Sequence, residues 1–379
     1  MNQTLDQALL PAGLADSLPP DAGLEAEAIE RLLASFAAQG YQRVKPPLIE
    51  FEESLLQGPG AALAPQTFRL MDPISQRMMA LRADMTPQIA RIAWSRLGKA
   101  PRPLRLSYAG QVLRVRGGQL RPERQFAQAG VELIGADAPE ADVEVVLLAA
   151  EALAGLGVAG LSVDLTFPTL VPALARGLGL STKVAEEARD ALDRKDVARL
   201  RALGGKTAAL LEALLQAAGP ADAAIAALAR LDLPEEAAAD RARLAGLVAR
   251  LHAVQPELRL TVDPGEFRGF EYQTGIGFTL FARGVRGELG RGGRYQSTND
   301  ENAVGFTLFL DSVLRALPEP GPARLLYLPA ETDPATGRRL RAEAWRTVQG
   351  FAKGADVKTE AKRLGCSHAW IGGQAISLA

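Results

Sequence analysis

Cysteine and histidine are almost missing from this chain of 379 residues, and that absence removes several chemistries at once. The lone cysteine, Cys366, excludes an intramolecular disulfide framework and a thiolate metal cluster. With only His252 and His368, a histidine-rich metal site or a Ser–His catalytic network is not supported, and no metal or cofactor is implied. Net charge is also nearly absent, at −1, which argues against general polyanion binding. No uninterrupted apolar run is long enough for a membrane span, which needs about 20 residues. The longest tract, 145–163, is broken by Glu151 and reads as a buried helix ending near Gly155 and Gly157. Residues 1–20 lack a basic segment followed by an apolar one, so no secretory signal is expected. A soluble, cytoplasmic protein is the expectation.

What remains is ordinary globular composition, 47% hydrophobic and 23% charged, over a length that suggests two or three domains. Residues 24–39 carry apolar positions at helical spacing and stop at Gly40. Residues 41–51 read as extended, with Pro46 and Pro47 suiting an edge or interface. A hairpin is predicted over 70–81 around Met71–Asp72–Pro73, and a helix over 85–94 opened by Asp84 and Thr86. Strands are predicted at 104–115 and 124–134, joined by Gly117–Gly118, with a helix at 141–156. Between about 176 and 257 the texture becomes dense in Ala, Leu, Arg and Glu, with breaks at Gly204–Gly205, Gly219–Pro220 and Pro234. This predicts a helical insertion of four or five short helices. Strand patterns resume at 258–262, 269–282 and 305–310. Pro318, Pro320 and Pro322 mark a linker separating a domain over 1–322 from a short α/β tail over 323–379. In that tail a strand at 325–328, a helix near 338–353 and a strand at 369–371 are expected. Helices around a mostly antiparallel sheet define the α+β class.

Several local signals are set aside. Gly205–Lys206–Thr207 ends like a P-loop, but Leu200 stands where the motif needs glycine and no strand precedes it. Gly287 to Gly293 lacks a dinucleotide fingerprint and reads as a turn. Cys366 reads as a small core residue and His252 as a packed helix residue. The acid pairs Glu186–Glu187 and Glu235–Glu236 read as helix-dipole partners.

The informative segment is LRLSYAGQVLRVRGGQLRPERQFAQAGVELIG, residues 104–135. Side chains alternate along a strand, so Arg114 and Arg116 are expected on one face. Gln128, Gly130 and Glu132 likewise share a face of the partner strand, placing guanidinium, amide and carboxylate together. By itself this pattern fits a solvated sheet face equally well.

The segment resembles motif 2 of class II aminoacyl-tRNA synthetases, specifically of the histidyl-tRNA synthetase family, and other motifs follow in family order. YQRVKPPLIEF (41–51) resembles motif 1, the dimer-interface strand. LRADMTPQIAR (81–91) resembles the amino-acid-binding turn, RGFEYQTGIGF (268–278) the histidine-specific strand, and GFTLFLDSVL (305–314) stands at motif 3. The resemblance implies a class II synthetase-like antiparallel sheet flanked by helices over most of the first 320 residues. It also implies a histidine pocket in which Asp84 and Thr86 hold the ammonium and Arg114 meets the carboxylate. Gln128 and Glu132 would contact the amine and the imidazole, and Arg268, Tyr272 and Gln273 fall on the histidine-specific strand. Gln273 departs from the family's second tyrosine there.

The nucleotide half departs further. Motif 2 in the family reads Phe-Arg-x-Glu, whereas here Arg116 replaces the acid. Motif 3 reads Gly-Phe-x-x-Gly-Leu-Glu-Arg, whereas here Phe309 replaces glycine and Ser312 the arginine that meets ATP. Residues 323–379 are also too few for a full anticodon-binding domain. LRADMTPQIAR and YQTGI are more similar to the family's non-catalytic branch, the regulatory subunits of ATP phosphoribosyltransferase. That branch implies partnership with a short-form catalytic subunit, feedback sensing of free histidine, a dimer through the motif 1 region, no tRNA and no membrane. An active histidyl-tRNA synthetase and a stand-alone amino-acid-binding protein stay open as alternatives.

Overall fold

The computed structural model describes residues 9–118, 121–267, 272–297, 299–319 and 324–378. The chain divides into two compact units, Met1–Leu317 and Pro318–Ala379.

In chain order the first unit carries helix α1 (Asp21–Ala38), strands β1 (Gln42–Arg43) and β2 (Ile49–Phe51), α2 (Glu52–Leu55), β3 (Arg69–Met71), β4 (Met78–Leu81), α3 (Thr86–Ser95), β5 (Leu104–Leu113) and β6 (Gln125–Ile134). Next come α4 (Pro139–Leu156), β7 (Leu161–Thr166) and α5 (Leu170–Gly177). Helices α6 (Thr182–Asp193), α7 (Val197–Ala202) and α8 (Gly205–Gln216) follow, then β8 (Gly219–Pro220), α9 (Ala221–Leu228) and α10 (Glu235–Val254). The unit closes with β9 (Arg259–Val262), β10 (Gln273–Ala282), β11 (Gly290–Gln296), β12 (Asn302–Phe309) and α11 (Leu310–Ala316). Nine strands make one sheet in the order β1-β5-β6-β12-β11-β10-β7-β9-β8. Every pairing from β5 through to β7 is antiparallel. This is the α+β arrangement expected, with a small β2-β4-β3 sheet beside it.

Strand alternation explains the layering. On β6, Ala127, Ala129, Val131 and Leu133 join a core with Leu32 and Phe36 of α1 and Val145 and Leu148 of α4. The ring of Phe36 meets Phe306 edge-on at 5.6 Å. The opposite side chains, including Phe126 and Ile134, belong to a second core with Met85 and with Ile89 and Ala93 of α3. Each large aliphatic side chain so buried stabilises the sheet by about 1.5–3 kcal/mol. Gln128, Gly130 and Glu132 lie on this second face. Among the described residues no helix is long and apolar enough to cross a membrane.

Two expectations are corrected. Residues 287–293 are not simply a turn: Gly290–Gln296 is an interior strand, β11. Its glycines are needed because a Cβ at Gly292 would meet the Phe278 ring and the Gly305 carbonyl. The strand therefore has the composition of a loop for a packing reason. The second unit also differs. It holds β13 (Leu325–Leu328), α12 (Pro334–Ala342), β14 (Arg346–Gln349), α13 (Val357–Arg363), β15 (His368–Ile371) and β16 (Gln374–Ser377). The helix expected near 338–353 thus ends at Ala342. Ala344 takes a left-handed conformation (φ 64°), and the chain turns into β14. Leu325 and Tyr327 pack with Ala361 on one face of β13, while Leu326 and Leu328 pack with Leu340 on the other.

The packing yields a contrast testable by urea unfolding. Gly292→Val forces a side chain into Phe278 and is expected to destabilise the protein by about 1–3 kcal/mol. Gly23→Ala in α1, where a Cβ meets nothing within 4 Å, is expected to stabilise it by about 0.5–1 kcal/mol. A tolerated valine at 292 would contradict the interior position of β11.

Candidate functional site

A cavity of about 360 Å³ opens on the second face of the sheet, where β6, β11 and β12 run beneath the start of α3. Asp84, Thr86, Arg114, Glu132, Tyr272 and Gln273 all line it. These residues come from four separate stretches of chain, and the sheet register brings them together. Gly305 of β12 stands directly opposite Glu132 of β6. A Cβ at Gly305 would strike the Glu132 carboxylate and the Val131 carbonyl, so the glycine makes room for the acid.

The turn before α3 is fixed by hydrogen bonds. Asp84 accepts one from the Thr86 backbone N–H (2.9 Å) and one from Gln128 Nε2 (2.9 Å). Gln128 Oε1 in turn accepts from the Met85 N–H at 3.2 Å. Each end of this fully buried amide thus bonds the turn, and Gln128 steadies that turn from behind the residues that line the cavity. Arg114 places Nη2 4.0 Å from Asp84, donates from Nε to the Ala83 carbonyl (3.2 Å), and lies 5.0 Å from the Phe126 ring centre. Strand β5 ends at Leu113, so Arg114 and Arg116 lie beyond it and the strand-face argument for them does not apply. Arg114 reaches this cavity, whereas Arg116 lines only a neighbouring one.

Glu132 forms the floor and is 1% exposed. It accepts hydrogen bonds from Thr86 Oγ1 (2.9 Å), Tyr295 OH (2.8 Å) and Tyr108 OH (3.4 Å). Burial pushes its carboxyl from 4.5 up to about 8, against the lowering effect of the hydroxyl donors and with a further rise from the Asp84 charge. Gln273 is buried on the same floor, and its Oε1 has no hydrogen-bond partner. The cavity thus offers two carboxyl groups, Asp84 and the burial-raised Glu132, two guanidiniums (Arg114 and Arg291) and an open amide oxygen. That set matches a small zwitterion with a polar side chain. Arg268 lies outside the described residues.

The neighbouring cavity, about 1070 Å³, shares Gln66, Arg114 and Arg291 with the first. Phe309, buried, lines the first cavity and meets Phe126, which lines the second, edge-on at 6.0 Å. The Arg121 guanidinium covers Phe309 at 3.9 Å and donates from Nε to Asp311 (3.0 Å) and from Nη2 to Ser312 Oγ (3.3 Å). An aromatic ring and a cation of the protein itself fill this corner, with Ser312 buried beneath.

Tyr108, Tyr295, Arg291 and Arg121 are the participants that sequence reasoning missed. Tyr295 and Arg291 sit on the glycine-rich strand that read as a turn. Tyr108 stands at even spacing from Arg114, so the alternation used for the arginine put it on the same expected face and was a usable signal.

The fold and the pocket together define a class II histidyl-tRNA synthetase-like domain, and the histidyl-tRNA synthetase family matches residues 13–313. The chain is 61% identical over 368 residues to the ATP phosphoribosyltransferase regulatory subunit of Rhodospirillum centenum, covering 97% of this chain and 95% of that one. It is 60% identical to the protein of the same description from Paramagnetospirillum magneticum, over 97% of each. A Bacillus halodurans crystal structure described as an ATP phosphoribosyltransferase regulatory subunit/histidyl-tRNA synthetase superposes with a TM-score of 0.82. Its identity is 26%, with 94% of this chain and 96% of that one covered. The chain belongs to the family of ATP phosphoribosyltransferase regulatory subunits.

The raised Glu132 carboxyl makes stability depend on pH in a definite sense. The ligand-free folded protein keeps a proton there that the unfolded chain releases above about 4.5. The contribution is therefore complete below that value and is lost as pH rises through about 8. Scanning calorimetry of the ligand-free protein is expected to show a steeper fall in Tm between about pH 5 and 8 for wild type than for Glu132→Gln. Parallel slopes would show that the carboxyl ionises normally.

Proposed function

We propose that this chain is a non-catalytic regulatory subunit. It joins and activates a short-form ATP phosphoribosyltransferase catalytic subunit and reports free histidine to it as a feedback signal. The observation that carries this reading is the contrast between the two cavities. One presents matched charges for an amino acid; the other is lined by Arg116, Ser312 and Arg121, with the Arg121 guanidinium covering Phe309 at 3.9 Å. Arg116 and Ser312, in place of the family's motif 2 glutamate and motif 3 arginine, remove two further ATP contacts. Each lost transition-state contact costs about 10²–10³ in rate, so several together leave no useful activation.

Histidine would lie with its ammonium at Asp84 and Thr86, its carboxylate toward Arg114, and its ring toward Glu132, Tyr272 and Gln273. Arg268 belongs to the same set through its motif. Regulation then requires that histidine bind one state of the assembly better than another, since only differential affinity shifts an equilibrium. Self-association through the motif 1 region is supported by the exposed Leu48, Met71, Ile74 and Met78 on and beside the small sheet. A cytoplasmic setting follows from the biosynthetic role.

Two measurements test this. Arg114→Ala is expected to weaken histidine binding about 10- to 100-fold, the worth of a hydrogen bond to a charged group, while co-elution with the catalytic subunit persists. Unchanged affinity would remove Arg114 from the pocket. Histidine-dependent ATP–pyrophosphate exchange is expected to stay at background; robust exchange would establish an active synthetase instead.

A further inference from the structure

A third cavity, of about 630 Å³, lies on the face of the sheet opposite the amino-acid pocket. Strand β10 divides the two. Gln273 lines the pocket, and the next three residues, Thr274, Gly275 and Ile276, line this cavity. They form an irregular stretch: the register with β11 passes from Gln273 opposite Tyr295 to Gly277 opposite Gly293, and β7 begins to pair only at Gly277. Such bulges bend a strand and are frequent beside binding sites. Helix α10 makes the second wall. Phe167, Leu247 and Ile276, all buried in the core shared with α1 and α4, give the cavity an apolar floor. Its volume suits a small organic molecule.

Helix α10 has a glycine, Gly246, near the middle of its 20 residues, where glycine weakens a helix. Gly246 lines the cavity together with Arg243 and Arg250, each about one turn away along the same helix face. A Cβ at Gly246 would lie 3.3 Å from Arg250 Nη1, so the guanidinium folds back along the helix over the glycine, in the direction of Arg243.

Both guanidiniums are loosely held. Among the described residues Arg243 meets Asp240 at 3.4 Å and Arg250 meets Glu140 at 3.5 Å, and the two arginine side chains are 68% and 46% exposed. Solvated pairs of that length contribute little, and a guanidinium has five donors to offer. Asp240 also has a donor of its own in Thr169, at 2.7 Å. The third arginine of the cavity, Arg294, is by contrast engaged on all sides, by Asp142 and by the carbonyls of Ala136 and Ala138. Asp142 is thereby neutralised, and Asp137 accepts from Asn302. An anion entering the cavity is turned from these two acids toward Arg243 and Arg250.

We propose that this cavity binds a small organic anion. A phosphate or carboxylate head is held between Arg243 and Arg250, and a flat apolar body lies over Phe167, Leu247 and Ile276. Guanidiniums recognise either head group with paired donors, and the absence of a side chain at 246 gives the head access to both. An inorganic anion has no body to place on the floor. An uncharged ring leaves the arginines in water. The site is separate from the amino-acid pocket and does not depend on how that pocket is read.

Calorimetric titration of the full chain with phenyl phosphate, benzoate, inorganic phosphate and phenol tests both halves of the ligand. Phenyl phosphate or benzoate is expected to bind about tenfold or more tightly than inorganic phosphate and phenol, and the tighter of the two identifies the head group. Arg243→Ala and Arg250→Ala, at exposed positions, are each expected to weaken that binding about tenfold. Arg114→Ala, at the other two cavities, is expected to leave it unchanged. Gly246→Leu fills the cavity while removing an unfavourable helix glycine, so binding is expected to vanish without a fall in the urea unfolding midpoint. Binding that persists in Gly246→Leu, or that Arg114→Ala weakens as much as the α10 variants do, overturns the proposal. So does equal affinity for phenyl phosphate, benzoate and inorganic phosphate, and so does a wild type that binds neither aromatic anion at millimolar concentration.

Discussion

Everything at this site depends on how closely the central strands approach on one face of the sheet. Gly130, Gly292, Gly293 and Gly305 lie at or beside successive register positions of β6, β11 and β12. A Cβ at Gly130 would meet the Tyr108 hydroxyl, and one at Gly293 would meet the Gln273 side chain at 2.9 Å. Gly292 makes room for Phe278 on the reverse face, while Gly130, Gly293 and Gly305 share the pocket face. Removing three side chains there leaves a hollow in which Glu132, Tyr108, Tyr295 and Gln273 point inward together. The hollow costs conformational entropy, since glycine weakens a strand. The apolar packing of α1 and α4 on the reverse face, where Val131, Leu133 and Phe306 are buried, offsets it.

Most of the architecture was legible because it followed period and punctuation. The helix at α1 stopped within two residues of Gly40, the hairpin at Met71–Asp72–Pro73 formed as β3 and β4, and Gln128, Gly130 and Glu132 fell on one face as alternation requires. What escaped were places where tertiary need overrode local composition. A glycine-rich strand and a flexible turn look alike until the neighbouring Phe278 ring is known. Arg114 was placed on a strand that ends one residue earlier. Gln128 is a subtler case. Its residue type announced a polar contact, but only the geometry showed that each end of the amide bonds the turn, at Asp84 and at the Met85 N–H.

The two cavities are separated by very little. Arg114 and Arg291 line both, and Phe126 lies under Arg114 and Arg121 alike at 5.0 and 5.1 Å. A carboxylate drawn to Arg114 therefore changes the electrostatic surroundings of the whole arginine–aromatic cluster. Such a shared wall is a physical route by which occupancy of the small pocket reaches the outer surface of the motif 2 segment.

The packing of Arg121 on Phe309 has an evolutionary consequence. Phe309, Asp311 and Ser312 all engage the same guanidinium, and Ser312 Oγ also accepts from Arg315 at 2.9 Å. Restoring glycine at 309 would strip Arg121 of its stacking partner while leaving it anchored to Asp311. Restoring arginine at 312 would crowd a third guanidinium against Arg121 and Arg315. Each motif residue of a synthetase, introduced singly, would enter a setting built around the residue present here. On this geometry single changes toward the synthetase motif are disfavoured, and only a concerted set would open this corner.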